Sequence, residues 1–565
     1  MDSREQKKSV GTEKGVRLRR IRELAVGLYM LALFVAVPLL LRNKYRMLGS
    51  FKYEVFRLVS LMGLGLVFMT EVSVWAVSRY QRRKGIGTGV DCPETVSEKG
   101  WMQRLVKRFD LTDWFVAGYG LCVIFSYLLA VDRTEAFLGA KGWYMGLVSQ
   151  LIFVASYFVV SRLWNGRMFV WYAACGTAFV IFLFGVLHRF SLDPFGLYQG
   201  LSEEIIRQYL SLIGQNTWYS SYMCTLFPLG LFLFWGGGLS KWAGAGREQE
   251  RSQKRELIER LAGAVFGVVG FASWVTQNSD SAYIALGLLL LVLFCYGFTG
   301  NIWMERFFEV VLLMLFSFSM VGFLQDFFPD RAVLPEALSL LFSRSILPVV
   351  LFLLVCIGYG ALILLERKGF QIGSCAWIGK GTVALAVVAV IGSILFIVLN
   401  TGGYLEEWFG MVSHHNYLLF DDNWGNGRGR TWNYSVRVIR ELPILRKLFG
   451  VGPDCFAAYG YGDPVYSMQL MQMWGDNRLT NAHCEWMNQV ICYGFVGAAC
   501  YVGIFLSGVV RFLKLGRRKP ILIAAALSLL AYAGHNMFCY QQAVCTPFVF
   551  IILGMGERLM RLEEK

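Results

Sequence analysis

The sequence predicts an all-α integral membrane protein with about fourteen transmembrane helices and one large extracytoplasmic loop. Hydrophobic residues make up 56% of the 565 residues and charged residues only 16%, a composition that indicates a polytopic membrane protein. Runs of roughly 17 to 25 apolar residues recur along the chain, each able to cross a hydrocarbon core about 30 Å thick as a helix. One long polar segment, residues 401–484, interrupts them late in the chain.

The apolar runs define the predicted helices in chain order. They begin near Leu24, Val55, Trp114, Tyr144, Phe169, Tyr219, Leu261, Ala282, Phe307, Ile346, Val383, Trp486, Ile521 and Val544. The runs at Leu261 and Ala282 are separated only by a polar break at 278–280, and merging them would invert the topology of everything that follows. Kept apart, the runs place helices 1–11 in residues 24–400 and helices 12–14 in residues 485–560, on either side of the 401–484 loop.

Lysine and arginine residues set the predicted orientation, since loops rich in them stay in the cytoplasm. The basic segments sort onto one side, so both termini are predicted to be cytoplasmic, with tails at residues 1–23 and 561–565 and the 401–484 loop outside. The first helix is predicted to remain as an anchor because a long charged leader precedes it. The basic first outer loop, residues 42–52, either counts against this topology or marks contact with anionic headgroups. The net charge of +15 is therefore mainly a topology signal, and nucleic acid is not an expected partner.

Histidine is the side chain best suited to proton transfer near neutral pH, and its placement in this topology is one-sided. All five histidines fall on the outer side or at an outer helix end: His188, His414, His415, His483 and His535. The thirteen cysteines show no metal-ligand spacing. Cys455 and Cys484 both lie in the large loop, where a disulfide is possible but spacing alone cannot establish it.

The loop carries clustered residues of specific types. Gly427-Arg428-Gly429-Arg430-Thr431-Trp432 opens a helical pattern with Trp432, Val436, Ile439 and Leu442 on one face, and Pro443 is predicted to interrupt it. A Gly450-Val451-Gly452 turn follows, and Ala482-His483-Cys484-Glu485 leads directly into a transmembrane run. Arginines at a membrane surface suit a diphosphate, because the guanidinium offers fixed donors and stays charged. The alternative is that they bind lipid headgroups or acidic neighbours.

In order and spacing these elements resemble the O-antigen ligase and polymerase superfamily of bacterial envelope polysaccharide assembly. The resemblance covers roughly residues 113–560 and rests on Arg428 to Trp432, Pro443, Gly450 to Gly452, Ala482-His483 and Gly494 to Gly497, together with the earlier Gly214-Gln215-Asn216 segment. Two positions depart from the family pattern. Cys484 stands where Asn is usual, and Ser279-Asp280-Ser281 stands where many members have Ser-Arg-Gly, so Arg430, Arg189 or Arg207 would have to replace the missing cation.

The resemblance implies a glycosyltransferase of the bacterial cytoplasmic membrane that needs neither cofactor nor metal. It would move a glycan from an isoprenoid (undecaprenyl) diphosphate carrier to a hydroxyl of a glycan or lipid-glycan acceptor. Whether it polymerises repeat units or ligates a finished glycan stays open, because both activities share the motifs. The expected catalytic residues are His483 as base, Arg428 and Arg430 as diphosphate ligands, and Glu485 as the residue that orients His483. The expected substrate-binding residues are Trp432, Gly450, Gly452, Asn216 and Arg207.

Three other interpretations of the sequence compete with this one. A multi-pass transporter or flippase of lipid-linked glycans is the main alternative, but such proteins commonly show internal repeats, and none is evident here. An enzyme that uses a monophosphate isoprenoid donor would be expected to have acidic residues in its first outer loop, which is basic here. Asp421 and Asp422 beside His414 and His415 suggest a metal site, but no regular ligand spacing supports it.

Overall fold

The computed structural model describes residues 2–83, 109–239 and 249–562, and this part of the chain is almost entirely helical. The long helices are α1 (Asp2–Leu39), α2 (Leu48–Arg83), α3 (Leu111–Leu128), α5 (Leu147–Leu163), α6 (Phe169–His188), α8 (Asn216–Trp235), α9 (Gln249–Thr276), α10 (Ser281–Gly297), α11 (Asn301–Phe327), α13 (Leu347–Arg367), α14 (Ala376–Thr401), α20 (Glu485–Gly516), α21 (Ile521–His535) and α22 (Thr546–Arg561). Every predicted apolar run lies on one of these helices. The predicted all-α class is therefore confirmed.

Short elements fill the connections. They are α4 (Arg133–Leu138), α7 (Glu203–Gln208), α12 (Ala337–Ser343), a 3-10 turn (Ile372–Cys375), α15 (Tyr404–Phe409), α16 (Trp424–Glu441), α17 (Ile444–Phe449), α18 (Phe456–Gly462) and α19 (Pro464–Trp474). Strands β1 (Tyr209–Leu210) and β2 (Gly214–Gln215) pair antiparallel, with Tyr209 opposite Gln215. As predicted, Pro443 interrupts the loop helix, since α16 ends at Glu441 and α17 starts after the proline.

Within the described residues, nine helices are long and apolar enough to cross a membrane, which supports a multi-pass membrane protein. α5, α10 and α21 are apolar but shorter. α8 has sufficient length, yet it carries polar side chains that bond inside the bundle: Tyr219 donates to Ser273 (2.9 Å) and Ser220 donates to Gln277 (2.6 Å). Because polar groups on buried helices find partners on neighbouring helices, low hydropathy does not exclude a span. The number of crossings stays a prediction.

Helix packing places α8, α20, α21 and α22 at the centre. α21 contacts α8, α10, α20 and α22, while α3 packs on α20, α5 on α22, and α1 on α2 and α6. α14 differs from the others. Its apolar stretch has no buried residue, and it touches the bundle mainly through α10. It therefore offers its surface to lipid.

The connections at one end of the bundle contact one another, and we call this the loop end because it carries residues 402–484. Tyr45 donates to Ser211 O (2.6 Å), and Ala140 N donates to Asp454 (2.8 Å). Tyr417, in the long loop, reaches Asp280 between α9 and α10. Since these residues come from separate connections, the loop end is one continuous surface.

The opposite end is held by charged side chains. Asp113 at the start of α3 is fully buried and accepts from Arg162 on α5 and Arg561 on α22, both at 2.7 Å. Arg511 on α20 pairs with Glu557 on α22 at 2.5 Å. Buried charges are tolerated when they are paired in this way. Four helices distant in sequence are thereby tied at this end.

The Gly450-Val451-Gly452 turn docks on a kink in α20. At Gly494 the helix backbone has φ 70° and ψ 178°, and a Cβ on Gly494 would lie 2.3 Å from the Leu448 carbonyl. A Cβ on Gly450 would lie 2.2 Å from the Cys492 carbonyl oxygen. Val451 N donates to Ile491 O (3.0 Å) and Gly452 N donates to Cys492 O (3.2 Å). Both glycines are thus required for backbone contact, which fixes the loop on the helix that follows it.

Candidate functional site

Four of the predicted site residues contact the connection between α21 and α22, residues 536–545, which we call the connector. They are Arg428, Trp432, His483 and Glu485. Almost all of it is buried, including Asn536, Cys539 and Tyr540. Buried irregular backbone needs partners, and the connector finds them in the 402–484 loop, in α8 and in α20. It is the element on which the candidate site is assembled.

Arg428 lies against the connector, with no acidic partner among the described residues. Residues 425–427 have φ values of 58°, 61° and 84°, so the start of α16 is left-handed and the arginine follows a tight turn. Its Nε donates to Phe538 O (3.3 Å) and its Nη1 donates to Gly425 O (2.8 Å). No described carboxylate lies within 4 Å of it. A half-buried guanidinium with spare donors and no counter-ion is suited to an anion.

Arg430 is in a different situation. Its Nε lies 3.7 Å from Asp422 Oδ2, and its Nη1 donates to Met473 O (3.2 Å). Asp422 therefore compensates part of its charge. Of the two predicted diphosphate ligands, Arg428 is the one whose charge no described carboxylate compensates.

Aromatic rings surround Arg428. Trp432 stacks on Phe538 of the connector with centroids 5.5 Å apart and an interplanar angle of 19°, and it also contacts Trp424 at 5.0 Å. The Arg428 guanidinium lies 6.0 Å from the Phe538 ring centroid. The Trp432 indole N–H is buried and unbonded within the described residues. Trp432 thus supports the arginine through Phe538.

His483 contacts the connector at Tyr540. Its backbone has φ 49°, and its N–H donates to Asn481 Oδ1 (3.0 Å). Its ring meets Tyr540 edge-to-face at 5.4 Å and faces Trp474 in parallel at 6.4 Å. Burial, and secondarily the charge of Arg428, lowers the pKa of His483 to about 4. The imidazole is therefore neutral at physiological pH and able to accept a proton.

This lowered pKa gives a stability prediction for His483. A histidine whose folded pKa lies below its unfolded value of 6.5 contributes stability above pH 6.5, and that contribution is lost as the pH falls towards about 4. As the pH is lowered from 6.5 to about 4, we expect the melting temperature of the wild type to decrease relative to that of His483→Gln. Thermal unfolding of both proteins in the same detergent checks this. A difference that does not change with pH would contradict it.

Glu485 faces the interior of the bundle. Its carboxylate accepts from Tyr501 OH, from Tyr532 OH (2.9 Å) and from the Asn536 side-chain amide, and its backbone N–H donates to Asn536 O (3.0 Å). Its described hydrogen-bond partners do not include His483. The structure thus places Glu485 where it holds the start of the connector, and does not bring its carboxylate onto the histidine that it was predicted to orient.

Asn216 and Arg207 form a separate cluster with Arg189. Arg189 is buried and donates to Asn216 Oδ1 (2.9 Å), Arg207 O (3.1 Å) and Thr276 O (2.8 Å). Asn216 in turn donates to Arg207 O (3.0 Å), whereas the Arg207 side chain is exposed. The cluster adjoins the connector through Gln215, whose side-chain oxygen lies 3.5 Å from Tyr540 OH. Arg189 therefore has a structural role, because its guanidinium joins Asn216, Arg207 and Thr276 at the loop end.

Asp280 stands where many members of the superfamily that the sequence resembles have arginine. It accepts a hydrogen bond from the loop segment that precedes Arg428 in the chain. Tyr417 OH donates to Asp280 Oδ2 (2.7 Å), and Tyr417 O accepts from the Trp424 indole (3.1 Å). Asn400 at the end of α14 holds the same segment by donating to Ser413 O (2.8 Å) and Leu418 O (2.9 Å). Burial and the Asp280 carboxylate raise the pKa of Tyr417. Residues 411–423 are therefore tied to two helices beside the arginine.

We expect Tyr417→Phe to loosen this segment. It removes one hydrogen bond of about 1 kcal/mol and leaves Asp280 without its donor. Limited proteolysis of residues 411–423 and thermal unfolding in detergent measure the effect. Tyr404→Phe, a change at an exposed tyrosine of α15, is the control. Equal cleavage rates for the two variants would show that the Asp280 contact does not hold the segment.

The sequence motifs did not identify the connector as part of the candidate site. Phe538 and Tyr540 carry the contacts to Arg428, Trp432 and His483, and Asp454 is a buried carboxylate behind them. The available signal was a stretch of aromatic and amide residues between two apolar runs, Phe538-Cys539-Tyr540-Gln541-Gln542.

Two arrangements that the sequence left open, a metal site and a disulfide, are not formed in the described part of the chain. No group of three or more His, Cys, Asp or Glu residues there is placed to hold a metal, and this includes His414, His415, Asp421 and Asp422. Cys455 and Cys484 are both free.

Comparison with known proteins adds no identification. No protein-family model matches the chain, and none of the curated proteins is significantly similar to it in sequence.

Proposed function

We propose that the protein is a membrane glycosyltransferase of the O-antigen ligase and polymerase type, which uses a glycan linked to an isoprenoid diphosphate. The observation that carries the proposal is that Arg428, which has no counter-ion among the described residues, and His483 both contact the connector, at Phe538 and at Tyr540. Both lie at one end of an apolar helical bundle, where a lipid-linked anion would present its headgroup. Multi-pass membrane placement is supported by the apolar helices.

The reaction assigns one role to each residue. The acceptor hydroxyl oxygen forms a bond to the anomeric carbon, while the bond from that carbon to the diphosphate oxygen breaks and its electron pair leaves with the isoprenoid diphosphate. Arg428 binds the diphosphate and stabilises the charge that develops on it. His483 takes the hydroxyl proton. Fixing both substrates in the site supplies orientation.

Binding of the donor would also prepare the base. Arg428 helps to lower the pKa of His483. A diphosphate beside Arg428 would bring negative charge, which favours the protonated imidazole and so raises this pKa. His483 would thus become a stronger base when the leaving group is in place.

The test is an electrophoretic profile of surface and lipid-linked glycans in cells lacking the protein. Single repeat units that accumulate on the outer-leaflet carrier would identify a polymerase, and full-length polymer on the carrier would identify a ligase. Units trapped on the cytoplasmic side would instead identify a flippase and overturn the proposal. An unchanged profile would overturn it as well.

A further inference from the structure

The short helix α17 presents apolar side chains to the outside of the protein. Ile444 is 74% exposed, Leu445 52% and Leu448 40%. Exposed apolar side chains that lie together on one element mark a surface that meets a partner or a membrane. The steps of glycan transfer make no use of this surface.

Helix lengths place α17 at the edge of the bilayer. α20 is kinked at Gly494, and residues 495–516 beyond the kink are long enough to cross the hydrocarbon core at about 1.5 Å per residue. α3 is a candidate span that ends at Leu128, and Ser126 in its last turn donates to Cys492 O (2.6 Å). Both spans therefore reach the loop end at the same level, beside the kink.

α17 is docked at this level. A Cβ on Gly494 would lie 2.3 Å from the Leu448 carbonyl, so the helix end touches the kink itself. The Phe449 ring also contacts the ring of Phe125 in the last turn of α3, with centroids 6.1 Å apart. Phe125 is itself exposed, as is Phe495 directly after the kink. The apolar side chains of α17 therefore continue the apolar surface of two spans.

Two basic side chains on the same helix lack an acidic partner among the described residues. Arg446 forms no side-chain hydrogen bond with them, and its Nη1 is buried without an acceptor. Its guanidinium lies 6.0 Å from the ring centroid of Tyr459. Lys447 is the next residue and is half-buried. A buried donor without an acceptor is costly, so an anion that draws the guanidinium outward would relieve it.

The acidic residues around Tyr459 already have partners. Glu441 pairs with Arg437 at 3.0 Å and accepts from Tyr466 OH. Asp463 accepts the Tyr466 N–H (3.1 Å) at the start of α19. The positive charges of α17 are therefore open to an anion that this part of the chain does not supply.

From this arrangement we infer that α17 binds an anionic phospholipid of the leaflet at the loop end. Ile444, Leu445 and Leu448 lie among the acyl chains, and Arg446 and Lys447 bind the headgroup phosphate. Basic and apolar residues together on a helix at the hydrocarbon boundary are typical of an interfacial anchor. The positive charge favours phosphatidylglycerol over phosphatidylcholine, whose headgroup has no net charge. This binding goes beyond the proposed function and does not require turnover.

Such an anchor would fix the height of the loop above the membrane. α16, which carries Arg428, ends at Glu441 directly before α17. The Gly450-Val451-Gly452 turn follows α17 and bonds to α20. The bound lipid would hold the helix of Arg428 against the bilayer surface.

The test is photolabelling of the full-length protein in vesicles of phosphatidylcholine and phosphatidylglycerol. Two probes are compared, phosphatidylcholine and phosphatidylglycerol, each with a diazirine near the headgroup end of one acyl chain, and mass spectrometry locates the label. Val349 and Val350, exposed in the first turn of α13, are the reference for lipid contact. Arg446→Gln and Lys447→Gln remove one charge each. Arg437→Gln is the matched control, because Glu441 already compensates that arginine.

We expect both probes to label residues 444–448, and the phosphatidylglycerol probe to label them more strongly. The ratio of the two labels at 444–448 should fall about fivefold in each α17 variant, which corresponds to about 1 kcal/mol per basic residue near an anionic surface. It should stay unchanged in Arg437→Gln and at the α13 reference. Thermal unfolding shows which variants are folded, and Lys447→Gln carries the test if Arg446→Gln does not fold.

Four results would overturn the inference. Labelled α13 with unlabelled residues 444–448 would place α17 away from lipid, and a dimer dissociated by Leu445→Glu would then assign the surface to a second copy of the chain. Equal labelling of 444–448 by both probes would exclude an anionic headgroup. An unchanged ratio in the folded α17 variants would exclude Arg446 and Lys447 as its ligands. Loss of the preference on addition of inorganic phosphate would assign the charges to the free ion.

Discussion

Replacing His483 with alanine is expected to reduce glycan transfer by about 10²- to 10⁴-fold, which is the usual contribution of a positioned general base. The loss has a local cause. His483 has φ 49°, and alanine also carries a Cβ, so the strain of the left-handed backbone is the same in both proteins. The rate is measured as transfer from an isoprenoid diphosphate-linked glycan to an acceptor glycan by the protein in proteoliposomes.

Two other histidines serve as comparisons. His415→Ala changes an exposed histidine of the same loop and should leave the rate unchanged. His535 is fully buried at the end of α21, and its Nε2 has no described hydrogen-bond partner. Full activity in His483→Ala together with loss in a folded His535→Ala would move the role of base to His535. Full activity in both would show that neither side chain accepts the proton.

Arg428→Gln is expected to reduce transfer by about 10²- to 10³-fold, the range found when one donor that stabilises developing charge is removed. Glutamine keeps a hydrogen-bonding side chain but removes the positive charge that faces the diphosphate. Because that charge has no acidic partner within 4 Å among the described residues, its loss leaves no carboxylate uncompensated and should barely change stability. Initial rates over a range of donor concentrations, together with thermal unfolding, measure both effects.

Arg430→Gln is the matched variant, two residues further along the same helix. We expect a smaller loss, because Asp422 at 3.7 Å already compensates part of the Arg430 charge. Arg428→Lys keeps the charge but not the planar donors, so it separates charge from geometry. An Arg430→Gln variant that loses more activity than Arg428→Gln would reverse the assignment of the diphosphate ligand.

The helical framework could be predicted because an apolar run of membrane length has few alternatives to a helix. The face of α16 could be predicted only in part. Of the four residues predicted to share its apolar face, Leu442 is buried and Trp432 and Ile439 are half-buried, but Val436 is exposed. The buried side also includes Thr431, Tyr434, Ser435 and Val438. Tyr434 packs on Phe456 and Tyr466 from later parts of the loop. Tertiary contacts within the loop therefore override the local apolar pattern.

The candidate site was predictable only in part. The loop motifs identified Arg428 and His483 because guanidinium and imidazole groups have recognisable chemistry. The connector that joins them carries no motif, since Phe538 and Tyr540 act through contacts to residues far away in the chain. Substrate binding by Gly450 and Gly452 stays a prediction; in the structure Gly450 packs against the backbone of Cys492 and Tyr493 beside Gly494, and Gly452 packs against Ala130. When two backbone segments that are far apart in the chain approach closely, the spacing of residues in the sequence does not reveal it.

The ion pairs opposite the loop end have a consequence for biosynthesis. Asp113 is made early, near the start of α3, but one of its two arginine partners, Arg561, belongs to the last helix. A buried carboxylate is tolerated when it is paired, and before the last helix is made Asp113 has Arg162 and the Tyr157 hydroxyl as its partners on α5 but lacks Arg561. Full-length synthesis would complete the charge network.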